Sequence, residues 1–381
     1  MELTIQQRDF LRGLARTHGV ADRKSSMPIL SNVLLSAEAP ERLRLSATDL
    51  YLGVTALAPA SIQRGGSVAV AARTLFDIVK ALPEGEITLR VGENQAVMLE
   101  QGKIKYKVPG LLGDDFPPLP NPGEVDFATL DAALVGELIG LTSYSMLSDD
   151  TRPHLAGALF EGDGKLVRMV TTDGHRLSKA EAKLDGELLN FSMLVPHKGV
   201  AELKRVIEDA KAEAKALSKS GEEVQAKVAV GVAAGNAFFR HGDLQLSVKL
   251  AEEQFPPYDK VIPQQHSKTI IAGRDKLIAT LKRISLVASD KSGGVQLHIE
   301  PGVLRIVSQN PDVGEGTEEL DVDYAGDNIS IGFNARYLLD ALNALSHDEV
   351  ALELSGELDP GVLRPVGEGT SFVGVIMPMR I

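Results

Sequence analysis

The chain has 381 residues, no Cys, and 40 Lys and Arg against 52 Asp and Glu, for a formal charge of −12 at pH 7. Lack of Cys excludes disulfides, thiolate metal sites and Cys nucleophiles, and it fits a reducing, cytoplasmic compartment. The length allows two or three domains with cores of their own, and the acidic average argues against generic affinity for nucleic acid without saying how the charge is distributed.

In chain order, Met1 to Arg8 lacks a basic region followed by an apolar run, so no signal peptide is expected. Leu3-Thr4-Ile5 predicts a strand that feeds a helix over Gln6 to His18. A strand pair turning at Pro40-Glu41 follows, then Val68 to Ala72 leading into a helix over Arg73 to Leu82, then a pair turning at Gly92-Glu93-Asn94. Asp114 to Pro120 is a Pro-stiffened connector that cannot continue a sheet.

The middle of the chain repeats this order. Val125-Asp126-Phe127 predicts a strand before a helix over Asp131 to Met146; Gly162-Asp163-Gly164 turns a strand pair; Ser192 to Pro196 leads into a helix over Lys198 to Ile207. Glu208 to Lys227, rich in Ala, Lys and Glu, reads as an elongated second helix or a solvated insert. Val228 to Phe239 is the longest apolar candidate for a membrane span, but Gly235-Asn236 interrupts it and predicts a hairpin. Glu253 to Tyr258 is a second Pro-rich connector.

The last third again offers Thr269-Ile270-Ile271 before a helix over Arg274 to Val287, with Leu277, Leu281, Ile284 and Leu286 at helical spacing. A turn at Pro301-Gly302 follows, and Ile329 to Phe333 leads into a helix over Asn334 to Leu345. Three phrases share one shape: Leu43 to Leu50, Leu166 to Leu177 and Leu304 to Pro311. A period that long implies whole domains copied in tandem, not a solenoid. The expected fold is therefore α+β, with boundaries near 1–122, 123–262 and 263–381 and two helices packed on antiparallel strands in each.

An enzyme would have to start from Asp173 and His175, or from His154 with Asp149 and Asp150. No Gly-x-Ser-x-Gly elbow, phosphate-binding loop or His-Glu-x-x-His helix accompanies them. Asp321 to Gly326 begins like a calcium loop, yet Ala325 and Gly332 stand where carboxylates are needed, and Val322 and Tyr324 alternate as in a strand. No catalysis, metal or cofactor is expected.

Taken together, the tandem repeats, Thr172-Asp173-Gly174-His175-Arg176-Leu177, Phe255-Pro256, Gly332-Phe333-Asn334 and the terminal Met377-Pro378-Met379-Arg380-Ile381 resemble the bacterial DNA sliding clamps, over the full length. The resemblance implies a homodimer closed head to tail into a ring around duplex DNA, with helices inside and sheets outside. It implies a non-catalytic processivity factor placed by a clamp loader, which tethers the polymerase III catalytic subunit, other polymerases and repair proteins through short linear peptides.

Such a ring needs basic residues on its helices. Arg8, Arg12 and Arg16 form a stripe at i, i+4 and i+8. Lys80, Lys198, Lys204, Arg205, Arg274, Lys276, Lys282, Arg283 and Arg336 add to it, and Arg23 and Lys24 match a family loop that touches DNA. Acidic residues on the same stretches are fewer, so the expected lining opposes the chain in sign. With 4% aromatic residues and no Trp, a stacking platform for single strands is not expected. The resemblance also implies a partner-peptide groove. It would take Leu155 and the turn residues Thr172, Gly174, His175, Arg176 and Leu177, with Pro256 and Val261 from the connector region. Leu281, Asn334 and Tyr337 and the tail residues Met377, Pro378, Met379 and Arg380 would complete it. Flexible Met side chains suit several related apolar anchors.

Overall fold

In the computed structural model, which describes residues 1–22, 25–39, 41–147, 151–184, 189–218, 224–288 and 293–380, each helix follows directly on a strand. The strands Glu2–Gln6 and Gly66–Ala71 feed α1 (Gln7–Thr17) and α2 (Ala72–Ala81). Ala128–Asp131 and Leu189–Pro196 feed α3 (Ala132–Thr142) and α4 (His197–Ser218), while Lys268–Gly273 and Ile329–Asn334 feed α5 (Arg274–Ile284) and α6 (Ala335–Ala344). At each junction the apolar period changes from two to about 3.6, and the side chains keep facing one core.

Contacts divide the chain into two compact units, Met1–Ala133 with Ala201–Leu250, and Leu134–Val200 with Ala251–Ile381. In the first, a nine-stranded antiparallel sheet runs without a break from strands of the first third to strands of the middle third. Its seam is Leu52–Pro59 against Leu244–Lys249, in the register Val54 opposite Leu246. A five-stranded sheet centred on Glu2–Gln6 and Glu86–Val91 completes the unit. Phe10 and Leu14 of α1, Leu75 and Val79 of α2, and Leu3, Leu43 and Leu45 from strands form its core. Gly13 lets α1 approach that closely, since a Cβ there would fall 2.8 Å from Leu45 Cδ1. Gln7 is buried between the helices and donates from Nε2 to the Val79 carbonyl at 2.8 Å. Truncating Phe10 to Ala would cost about 3–5 kcal/mol.

The second unit repeats the device. An eight-stranded sheet crosses from Arg176–Lys183 to Ser371–Ile376, with Arg176 opposite Ile376, and a four-stranded sheet is built on Gly294–Glu300 and Val303–Asn310. Leu277, Leu281 and Ile284 of α5 and Leu338 and Leu342 of α6 are buried there.

Several boundaries differ from the sequence reading. The strand before α3 is Ala128–Asp131, not 125–127, because Val125 and Phe127 lie against Gly231 of the strand Lys227–Ala233. The helix α3 stops at Thr142, whose Oγ1 donates to the Leu138 carbonyl at 2.7 Å, and Ser143–Ser145 tightens into a 3-10 turn. The helix α5 stops at Ile284, so Leu286 leaves the apolar stripe and is 78% exposed. The helix α4 runs to Ser218, well past Ile207, which makes the first part of the Ala-, Lys- and Glu-rich stretch an elongated helix. The expected hairpin turn at Gly235 is present, with Ala234 and Gly235 at φ +48° and +72°. The turn residue Pro40 and residues 219–223 lie outside the described residues.

Candidate partner groove and basic helices

The turn after the strand Leu166–Thr172 is closed by its own side chains. Thr172 Oγ1 donates to the Arg176 carbonyl (2.7 Å) and accepts from the Gly174 amide (3.1 Å), while Asp173 Oδ1 accepts from the amides of His175 and Arg176 at 2.9 and 3.0 Å. Gly174 takes φ +90°, a conformation that L side chains rarely adopt. The first third contains the same construction. Thr48 Oγ1 donates to the Leu52 carbonyl (2.6 Å) and accepts from Leu50 (3.0 Å), and Asp49 Oδ1 accepts from Tyr51 and Leu52 at 3.0 and 2.7 Å. Leu50 stands where Gly174 does, at φ +74°. In the last third Asn310 Oδ1 accepts from the Asp312 amide at 3.0 Å.

Arg176 leaves this turn inward, and its side chain is 10% exposed. The guanidinium donates to Asp173 Oδ2 (3.0 Å), Asp340 Oδ2 (2.7 Å) and the Tyr144 carbonyl (2.7 Å). It also lies 4.5 Å from the Tyr337 ring centroid and 5.3 Å from that of Tyr144. Burial pushes the Tyr144 hydroxyl well above its ordinary value, so it remains a neutral partner for Ser178 at 2.7 Å. A planar fork held on several sides is rigid, which fixes one wall of the recess beside it.

That recess encloses about 190 Å³. Of the residues expected in the groove, Leu155, Thr172, Gly174, Arg176, Leu177, Pro256, Val261 and Met377 line it. His154, Phe255, Tyr258 and Val375 line it too and were not anticipated. Two signals could have found three of them: Phe255 and Tyr258 flank the prolines of the connector, and Val375 is two residues before Met377 on one strand face. Its walls are mostly apolar, with polar groups at the turn, which suits an apolar anchor of an extended segment.

The remaining expected groove residues do not line the recess. Leu281 is fully buried in α5, and Asn334 caps α6 by accepting from the Arg336 amide at 2.9 Å, so both serve packing and capping. His175 and Tyr337 stack on each other, 6.4 Å between centroids. Met379 donates its amide to the Gly332 carbonyl at 2.8 Å, and Arg380 is exposed. Asp173, offered above as half of an acid/base pair with His175, is committed to closing the turn and to Arg176. Asp149 and Asp150 lie outside the described residues.

Among the basic residues, Lys80, Lys198, Lys204, Lys276, Lys282 and Arg336 are exposed, as is Arg8, whose side chain is 87% exposed. Exposure does not exclude pairing: Arg8 lies 3.6 Å from Asp9 and Arg336 3.9 Å from Asp340. Others are turned onto close neighbours. Arg205 donates to Glu202 at 2.6 Å, Arg283 grips Glu318, and Arg274 is turned onto the Leu345 carbonyl and Asp275. The stripe on α1 is not uniform. Arg12 is 47% exposed and pairs with Glu213; Arg16 is 9% exposed and pairs with Asp209 and Glu213. This corrects the expectation of one open basic face, because acidic residues of α4 pack against it. Arg23 and Lys24 lie outside the described residues.

The stretch Asp321 to Gly326 is pinned as sheet margin, Asp323 exchanging backbone bonds with Ile271 at 2.9 and 3.1 Å. Among the described residues no group of three or more His, Asp or Glu is gathered for a metal, and no helix is long and apolar enough to cross a membrane.

Comparison with known proteins accounts for nearly the whole chain. Models of the DNA polymerase III beta subunit match consecutively: the N-terminal domain over residues 1–120, the central domain over 129–257 and the C-terminal domain over 259–380. Curated relatives named beta sliding clamp include those of Caulobacter vibrioides strain NA1000, 32% identical over 389 residues, and Escherichia coli K12, 34% identical over 384 residues. Each comparison covers 100% of both chains. The crystal structure of the DNA polymerase III subunit beta from Pseudomonas aeruginosa is similar with a TM-score of 0.91 at 30% identity, again over 100% of both. The chain belongs to the DNA polymerase III beta subunit family, the bacterial beta sliding clamps, and it is a processivity factor rather than an enzyme.

Proposed function

We propose that two copies of this chain close head to tail, residues 1–122 of one against residues 263–381 of the other, with residues 123–262 between. The ring so formed surrounds duplex DNA and tethers polymerases to it. The observation that carries the DNA reading is the exposure of Arg8, Lys80, Lys198, Lys204, Lys276 and Lys282 on helices of a chain whose net charge is −12. Scattered cations contact phosphates regardless of sequence and weaken steeply with salt, which permits sliding.

The recess around Leu155, Leu177, Val261 and Met377 takes an apolar anchor from a short linear peptide. Peptides of this kind would come from the polymerase III catalytic subunit, from other polymerases and repair proteins, and from the clamp loader that opens the ring. A cytoplasmic location at the nucleoid follows from that work. Molar mass in solution, together with retention on nicked circular and on linearised duplex, tests the reading. A dimer held on circles and lost from linear DNA is expected. Equal retention on both forms rules out topological linkage and leaves a peptide-binding scaffold.

A further inference from the structure

The helices α1 and α4 face each other in an antiparallel register that the charges make explicit. Arg12 pairs with Glu213 at 2.5 Å, and one turn further along α1 Arg16 pairs with Asp209, one turn earlier on α4. Arg16 reaches Glu213 as well, at 3.5 Å. The spacing of four on each helix is what lets two guanidiniums meet two carboxylates in one row. His241 closes the cluster from the strand Asn236–His241, with Nε2 at 3.1 Å from Glu213. Burial alone would raise the Glu213 carboxyl; Arg12, His241 and Arg16 outweigh it and hold the group below its ordinary value, as a carboxylate.

At the two ends of the row the pairing between the helices gives way to pairing within each helix. One turn beyond Glu213 on α4 stands Leu217 where a carboxylate would continue the row, and Arg8, its side chain 87% exposed, lies 3.6 Å from its own neighbour Asp9; one turn before Asp209 stands Arg205, which donates to Glu202 and whose guanidinium lies beside Gly19. The basic stripe on α1 is thus met by α4 carboxylates at Arg12 and Arg16 and is most open to solvent at Arg8.

We infer that Asp209 and Glu213 are affinity-setting residues for DNA: the part of α4 beyond Ile207 acts as a built-in counter-ion that competes with phosphate for Arg12 and Arg16. This rests on the proposal above that α1 faces the duplex. Phosphate must displace a carboxylate that is tethered at short range, so the two arginines contribute little to binding while the row is intact. The extended helix keeps contact with DNA loose, which is what a sliding ring requires.

The test uses the full chain and a fluorescein-labelled duplex of about 30 base pairs, with anisotropy read over a salt series. Asp209→Asn/Glu213→Gln frees two cations. At about 0.9 per phosphate, log affinity against log salt should steepen by about 1.8, so a fourfold rise in salt weakens the variant about tenfold more than the parent. Arg12→Gln should leave the parent's slope nearly unchanged and reduce that of the double variant by about 0.9. A purely structural row would lower the thermal midpoint and leave every slope as it was, which overturns the inference. Arg8→Gln is the control for the reading beneath it. If Arg8→Gln weakens binding and the double variant does not steepen it, the inference alone fails; if neither changes binding, α1 does not face DNA. Should the double variant fail to fold, Glu213→Gln, which keeps the Arg16 to Asp209 pair, should give about half the change in slope, and no change there also overturns it.

Discussion

The backbone amide of Met377 donates to the carbonyl of His175 at 2.9 Å. This bond lies one step beyond the ladder between Arg176–Lys183 and Ser371–Ile376, and it carries the last strand past the sheet edge to the turn beside the recess. Met379 then bonds Gly332 at 2.8 Å, so the tail is held at two points. Met377 is placed by backbone, and its side chain is left to adapt.

Removing Met379, Arg380 and Ile381, the last of which lies outside the described residues, deletes the second of these anchors. Capture of a labelled peptide carrying an apolar anchor should weaken at least tenfold, about 1.4 kcal/mol, with the molar mass of the proposed dimer unchanged. Unchanged affinity in an anisotropy titration would move the pocket elsewhere.

Arg176→Gln strips partners from two carboxylates and the Tyr144 carbonyl in a largely buried site. A loss of about 2 kcal/mol in urea unfolding is expected, since breaking one side of such a network strands the other. A loss within about 0.5 kcal/mol would mean that Asp173 and Asp340 are satisfied by water.

The two equivalent turns invite a paired test. Gly174→Ala forces a Cβ into φ +90°, 2.9 Å from Arg152 Nη1, and should cost about 1–2 kcal/mol and weaken peptide capture. Leu50→Gly relieves a left-handed Leu at φ +74° that is mostly outside the core, and should be neutral or stabilising by up to about 1 kcal/mol. Destabilisation by Leu50→Gly would show that the Leu50 side chain is needed where it stands.

Glu318 accepts from Arg283 Nε at 2.9 Å and from Thr280 at 2.8 Å, tying α5 to the strand Gly314–Asp321. Arg283 first and Thr280 second lower its carboxyl from 4.5 to about 2. Because the folded-state value is the lower one, the ionised carboxylate stabilises the fold. That contribution is complete above about 4.5 and is lost as pH falls toward about 2. The thermal midpoint of the parent should therefore exceed that of Glu318→Gln at pH 6, with the gap narrowing below about pH 4.5. A gap independent of pH would assign the effect to Thr280 geometry instead of charge.

The alternation of strands and helices was legible because it is a local property. Leu3-Thr4-Ile5 with Phe10 and Leu14, or Thr269-Ile270-Ile271 with Leu277 and Leu281, announce a change of period within a dozen residues. The turn chemistry at Thr48-Asp49 and Thr172-Asp173 was local as well, and its two copies proved the same bond for bond. The groove was half legible. Residues of the turn and tail could be named by resemblance, while Val375 lines the recess through pairing between strands far apart in sequence and Phe255 and Tyr258 through packing against the apolar cluster those strands form.

The order of elements, the tandem copying and the total charge are properties of the chain as written, since each depends on neighbours in sequence or on composition alone. Which arginines stay open was decided only in three dimensions. Arg8, Arg12 and Arg16 are indistinguishable on one helix, and they differ because a second helix, almost two hundred residues later, brings carboxylates to two of them, while Arg8 stays 87% exposed beside its own neighbour Asp9. The strength of a charge depends on what is packed against it, and packing between distant segments is not written in either segment by itself.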